Sequence, residues 1–166
     1  MRKTLLAILL AVALALIPVG SAFAANSDTV TVTATPGFVS ITVTPDTYDF
    51  AVVYPDTDED TVAGTPFTVN NSSTVDMDLT IECDGWTGGP GWTYADTAGI
   101  DTGSLNFSTN DGVLWTYLPE TPTTAVLASD VTPATSPTFD LQLDAPTDFT
   151  YGDVQTTTVT VTAAPS

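Results

Sequence analysis

Apolar and polar residues alternate one by one along several stretches of this chain. The clearest stretch is residues 75–83, where Val75, Met77, Leu79, Ile81 and Cys83 alternate with polar residues. Successive side chains of a β-strand point to opposite faces, whereas a helix would spread the same residues around its circumference. The alternation therefore predicts a strand with one buried face.

The same pattern predicts strands elsewhere in the chain. Their apolar positions are Val30 and Val32; Val39, Ile41 and Val43; Tyr48, Phe50, Val52 and Tyr54; Phe139, Leu141 and Leu143; and Val159 and Val161. Residues 67–70, 104–108 and 113–118 predict three more. Threonine is frequent throughout, and its branched Cβ suits a pleated sheet.

Turn residues separate these stretches. Pro36-Gly37 predicts a tight turn joining the first two strands, and Asp111-Gly112 predicts a hairpin between residues 104–108 and 113–118. No long helical period with capping signals follows the signal-like N-terminus. We therefore expect one all-β domain, a single antiparallel β-sandwich of the immunoglobulin-like or jelly-roll-like type, whose loosest region is residues 120–137.

The N-terminus has the pattern of a secretory signal peptide. Arg2 and Lys3 precede an apolar stretch over residues 5–19, and Ala22-Phe23-Ala24 offers the small residues that a signal peptidase requires. The alternative is a membrane anchor, but the stretch is shorter than the roughly 20 residues that span a bilayer. We expect residues 1–24 to be removed, leaving residues 25–166 as a secreted domain without a transmembrane span.

Charge narrows the possible functions of that domain. Arg2 and Lys3 are the chain's two cations and it has no histidine, so residues 25–166 hold all 20 acidic residues unopposed. Nucleic acids and anionic membrane surfaces are poor partners, because both are bound through cations. Zinc sites and nucleophile–histidine catalysis lack their usual side chains. We expect a protein that is not an enzyme and has no cofactor other than calcium.

Calcium is considered because Asp56, Asp58 and Asp60 form the densest acidic cluster. Alternating carboxylates resemble the start of a calcium-binding loop, which uses oxygen ligands at its first, third and fifth positions. Thr61 and Phe67 stand where an EF-hand would have glycine and glutamate. A solvated acidic turn is the alternative interpretation.

Cys83 and the tryptophans each allow two interpretations. As the only cysteine, Cys83 either links two chains or fills the core, and its register with Ile81 favours the core. Trp86 and Trp92 flank a glycine-rich loop, where they would offer a platform for a glycan or would seal the end of the sandwich.

Several phrases of the chain resemble secreted prokaryotic surface β-sandwich proteins of the WxL-like and TasA/camelysin-like kinds. They are Tyr48-Asp49-Phe50, Gly91-Trp92-Thr93 and residues 67–71, 139–145 and 157–162. The chain departs from the WxL pattern, because Thr93-Tyr94 follows Trp92. The resemblance implies a cell-surface or matrix location, a structural role and no catalytic residues.

These observations lead to two expected functions. The first is a structural or adhesive protein, with residues 29–35 adding as a strand to a neighbouring copy to build a fibre. In the alternative arrangement this segment pairs within its own domain through the Pro36-Gly37 turn. The second function is a carbohydrate- or cell-wall-binding module that uses Trp86 and Trp92. Thr-Val-Thr-Val-Thr occurs near both ends of the chain, too short a match to define a repeat.

Overall fold

The described part of the chain contains ten strands and no helix, which confirms the all-β prediction. A computed structural model describes residues 28–62, 64 and 66–166, so the predicted signal peptide lies outside the described residues. The strands are β1 (Ile41–Thr44), β2 (Asp58–Asp60), β3 (Phe67–Asn71), β4 (Met77–Cys83), β5 (Thr93–Tyr94), β6 (Thr102–Ser108), β7 (Thr116–Tyr117), β8 (Ala125–Val131), β9 (Thr138–Asp144) and β10 (Val159–Pro165).

The strands form two sheets packed as a sandwich. The larger sheet has the order β1-β3-β9-β6-β5, with β2 also paired to β9 and β7 to β6, and the smaller has the order β10-β4-β8. All pairings are antiparallel except that of β5 with β6. All ten strands lie in the unit Pro36–Ser166, whereas the described residues 28–35 belong to a separate unit. The finer immunoglobulin-like or jelly-roll-like type stays a prediction.

Strand β4 lies at the centre of the smaller sheet, and it supplies most of the buried side chains that this sheet adds to the core. Met77, Leu79, Ile81 and Cys83 are all fully buried, as their alternation predicted. Cys83 is a free thiol in this core, and burial is the main reason that its pKa is raised. Across the interface, β9 contributes Phe139, Leu141 and Leu143, another set that the alternation predicted.

Two predicted strands are absent from the described residues. Residues 30–32 form no strand, and the Pro36-Gly37 turn is absent: Gly37 passes close to the Val75 side chain, where a Cβ would clash. Residues 48–54 also form no strand. The Asp49 carboxylate accepts a hydrogen bond from the Ala51 N–H at 2.8 Å, and Ala51 has a positive φ of 60°, so a local turn interrupts the extended backbone.

The Asp111-Gly112 turn is present, but the strand after it is short. Both residues have positive φ, and Val113 N–H donates to the Asn110 carbonyl at 3.2 Å, as in a type I′ turn. Asn110 Oδ1 then accepts from Leu114 N–H at 3.0 Å, which keeps the following residues in the loop. Pairing with β6 therefore begins only at Thr116.

The region expected to be loosest contains a full strand. Strand β8 pairs with β4, but the register shifts between the Met77–Val131 and Leu79–Ala128 pairs. Leu127 and Val131 are buried, but the polar Ser129 lies between them on the same parity and Val126 is exposed, so the sequence lacks the simple alternation that would have revealed the strand.

Candidate functional site

The two sheets leave a groove of about 910 Å³ along one side of the sandwich. β1 and β10, the terminal strands of the two sheets, both contribute to its lining. We call this feature the edge groove.

The floor of the edge groove is the apolar core itself. Its lining includes Leu141 and Leu143 from β9 and the stacked rings of Phe67 and Phe139, whose centroids are 5.1 Å apart. An apolar surface of this kind favours a ligand with apolar side chains, because burying them removes their surface from water.

The strands beside the groove have incompletely buried inward faces. Val43 of β1, and Val159 and Val161 of β10, pack against the core yet remain half-buried. Each strand pairs on one side only, β1 with β3 and β10 with β4. The other backbone edge of each strand therefore has free hydrogen-bonding groups among the described residues.

One wall of the groove is formed by residues 45–53. The turn at Ala51 directs Phe50 and Val53 toward the core, in place of the predicted face formed by Tyr48, Phe50, Val52 and Tyr54. The Tyr48 ring contacts the edge of Phe50 at a centroid distance of 5.0 Å. This wall is therefore a folded aromatic loop rather than a strand that would close the sandwich.

Trp86 and Trp92 contact each other and both line the groove. Their rings form an edge-to-face pair with centroids 5.4 Å apart, and Trp92 also stacks on Phe149 at 5.4 Å and 13°. Trp86 Nε1 donates to the Gly103 carbonyl at 2.9 Å. Phe149 thus covers one face of Trp92 that a sugar ring would need.

The indole N–H of Trp92 is buried and has no hydrogen-bond partner among the described residues. Its backbone is held, since Trp92 N–H donates to Gln155 Oε1 at 3.2 Å and Gln155 Nε2 donates to the Gly88 carbonyl at 3.1 Å. These contacts attach the aromatic group to the loop before β10. Phe149 and Gln155 gave no alternation signal, so the sequence did not indicate their role.

Asp56, Asp58 and Asp60 lie away from the groove lining, and the last two are not in a loop. Asp58 and Asp60 belong to β2, which pairs with β9, whereas Asp56 lies in a turn before that strand. Calcium binding at these residues stays a prediction. Asp60 accepts from Val62 N–H at 3.0 Å, and Asp56 N–H donates to the Pro146 carbonyl at 2.9 Å. Within the described ranges no group of three acidic, cysteine or histidine residues is arranged to hold a metal ion.

Strand pairing places Asp58 directly opposite Asp144. Burial raises the pKa of Asp144, and the negative charges of Asp58 and Asp56 raise it further. Like charges directly opposite each other on paired strands are destabilising. This site is therefore one of local repulsion at neutral pH.

Tyr94 of β5 hydrogen-bonds through its hydroxyl to two other parts of the chain, a contact that the sequence did not predict. Its hydroxyl donates to the Leu118 carbonyl at 2.7 Å and accepts from Leu105 N–H at 3.1 Å. Burial raises the pKa of this phenol, so it stays a neutral donor. These bonds join β5 to β6 and to Leu118, the residue after β7.

The candidate site has a second feature in addition to the edge groove, the segment of residues 29–34. They form no strand, and Val30 and Val32 are 87 % and 85 % exposed. Their sequence, Thr-Val-Thr-Val-Thr-Ala, is identical to residues 158–163, which begin just before β10 and continue along it. We call residues 29–34 the N-terminal hexapeptide.

In the described part of the chain, no helix has the length and apolar character needed to cross a membrane. Comparison of the chain with protein-family models, curated proteins and solved structures found no match. The functional argument therefore depends on the geometry of the edge groove and the N-terminal hexapeptide.

Proposed function

We propose that this protein is a secreted, non-catalytic structural subunit of a cell surface or extracellular matrix, and that its copies assemble into fibres by strand addition. One observation carries the proposal: the N-terminal hexapeptide has the composition and alternation of a strand, yet forms no strand and exposes both valines. An exposed β-prone segment readily pairs with the sheet of another chain.

The surface charge of the protein supports association through this segment rather than through ion pairs. Residues 25–166 have no lysine, arginine or histidine, so two copies repel one another wherever their acidic surfaces meet. The N-terminal hexapeptide carries no charge. It therefore offers backbone hydrogen bonds and apolar side chains without adding to that repulsion.

A glycan-binding module is less well supported by the aromatic residues. Trp86 and Trp92 come together, but their edge-to-face contact and the stacking of Phe149 on Trp92 leave no pair of coplanar open rings. Sugars bind best on an accessible ring face. We therefore expect no glycan binding that depends on Trp86. Glycan binding that is lost in a folded Trp86→Ala variant would favour the module instead.

The proposal is tested by electron microscopy of residues 25–166 and of a variant lacking residues 25–35. We expect filaments from the longer chain, and a soluble, folded variant that forms none. Monodisperse particles from the longer chain would overturn the proposal. Loss of folding in the deletion variant would also contradict it, because the segment would then be needed within its own domain.

The same samples are examined with calcium and with a chelator. Filaments that form only with calcium, and no longer form after Asp58→Asn, would assign the ion a role at Asp56, Asp58 and Asp60. Filaments in both conditions would leave strand addition as the sufficient explanation and remove calcium from it.

A further inference from the structure

We infer that the acceptor for the N-terminal hexapeptide is the free edge of β10 in a second copy, where its valines enter the edge groove. This inference rests on the proposed function and specifies the surface it uses. The occupant is the hexapeptide of another molecule of the same chain.

The groove requires an occupant with a particular pattern. Its floor is apolar, through Phe67, Phe139 and Leu141, while the outer face of β10 is lined by exposed threonines. A strand beside β10 must therefore point apolar residues inward and polar residues outward. The N-terminal hexapeptide does so, with Val30, Val32 and Ala34 on one face and its threonines on the other.

Strand β10 itself shows that this sequence suits the location. In the identical segment, Val159 lies opposite Cys83, Val161 opposite Ile81 and Ala163 opposite Leu79, all against the core. A second copy of the same six residues next to β10 would place valines beside valines and threonines beside threonines. Such same-face neighbours stabilise paired strands.

The length and position of the edges favour β10 over β1. Strand β10 has seven residues, enough to pair with the whole hexapeptide, whereas β1 has four. The smaller sheet has three strands against seven in the larger sheet. A fourth strand beside β10 would extend the smaller sheet over the groove and cover the half-buried Val159 and Val161.

Disulfide cross-linking identifies the acceptor edge. Thr31→Cys is combined with Thr158→Cys just before β10, or with Thr160→Cys or Thr162→Cys on β10. The matched control for the rival edge combines Thr31→Cys with Thr42→Cys on β1. All four acceptor positions are exposed threonines. The natural Cys83 is retained, because it is completely buried. A disulfide forms only where the two Cα atoms come within about 4.4–6.8 Å, so only neighbouring strands are linked.

We expect filaments whose subunits are cross-linked when Thr31→Cys is combined with a cysteine at position 158, 160 or 162. A non-reducing gel should then show a ladder of multimers for at least one of these three combinations, and no ladder with Thr42→Cys. Filaments linked only through Thr42→Cys would overturn the β10 acceptor while leaving strand addition intact. Filaments without any cross-link would likewise overturn the acceptor.

Two further outcomes separate this inference from the proposed function. A fast-migrating monomer with an internal disulfide and no filaments would mean that each chain fills its own groove, and both proposals would fail. Absence of filaments and cross-links in every variant, including the unsubstituted chain, would overturn the proposed function directly.

Discussion

Strands β4 and β10 are neighbours in one sheet, share the same alternating pattern and have very different burial. The inward residues of β4 are fully buried, whereas those of β10 are half-buried. Strand β4 pairs on both sides, with β10 and β8, while β10 has one partner and lies beside the edge groove. Alternation thus determines which face of a strand is apolar, but the neighbouring strands determine whether that face is covered.

This contrast supports the interpretation of the groove as an unfilled strand position. An inward face that stays half-exposed leaves apolar area in contact with water, and burying it is favourable by about 25 cal/mol per Å². The protein also carries an exposed segment with the sequence of residues 158–163, which include the first five residues of β10. The open edge and the unpaired segment are complementary in pattern, charge and length.

The largest expected effect comes from a charge placed in the N-terminal hexapeptide. Val32→Asp puts a carboxylate on the face that we assign to the groove, where it would be buried without a partner, so filaments should be lost. Thr33→Asp is the matched control, because it adds the same charge one residue away on the outward face. We expect it to retain filaments in electron micrographs, and equal loss in the two variants would contradict the assigned face.

A smaller effect distinguishes the two strands by stability. Ile81 and Val161 are opposite one another, so Ile81→Ala and Val161→Ala probe β4 and β10 at the same level of the sheet. We expect Ile81→Ala to lower the free energy of unfolding by about 2–5 kcal/mol, because it leaves a cavity in a closed core. Val161→Ala should cost about 1 kcal/mol, because its side chain is only partly removed from water.

Urea unfolding at a protein concentration that gives no filaments measures both values. Equal losses in the two variants would mean that the edge of the sandwich is as well packed as its centre. That result would remove the contrast on which the open-edge interpretation depends.

The smallest expected effect concerns the repulsion between Asp58 and Asp144. Because the pKa of Asp144 is raised in the folded state, its contribution to stability is fully present below the ordinary pKa of 3.8 and is lost as the pH rises through the raised value. Asp58→Asn removes the neighbouring charge. It should therefore stabilise the fold at neutral pH by a few tenths to about 1 kcal/mol and by less in acid.

Asp76→Asn is the control for this variant, because Asp76 is exposed and its loss changes the net charge equally. Urea unfolding at neutral and acidic pH measures the two differences. The same gain in both variants would assign the effect to net charge rather than to the β2–β9 pair.

The sequence predicted those strands whose alternation is uninterrupted. Residues 77–83 and 138–144 follow the pattern and form β4 and β9. Residues 48–54 follow it too, but the Asp49 carboxylate stabilises a turn that the pattern does not reveal. Strand β8 was missed for the opposite reason: it is a strand without alternation, because Ser129 stands between the buried Leu127 and Val131 and Val126 is exposed.

The candidate site was predictable only in part. The strand-like character of residues 29–35 and the proximity of Trp86 to Trp92 follow from local sequence. The edge groove does not, because it depends on which distant strands pair and where the pairing stops. Phe149 is separated from Trp92 by most of the C-terminal half of the chain, and no local pattern indicates that the two rings stack.

The most direct measurement is a helical reconstruction by electron cryomicroscopy of filaments formed by residues 25–166. We predict a strand beside β10 in every subunit, continuous with the chain of the neighbouring subunit and containing Val30 and Val32 with their side chains in the edge groove. Filaments in which the groove is empty, or is filled by the subunit's own N-terminal hexapeptide, would contradict the account.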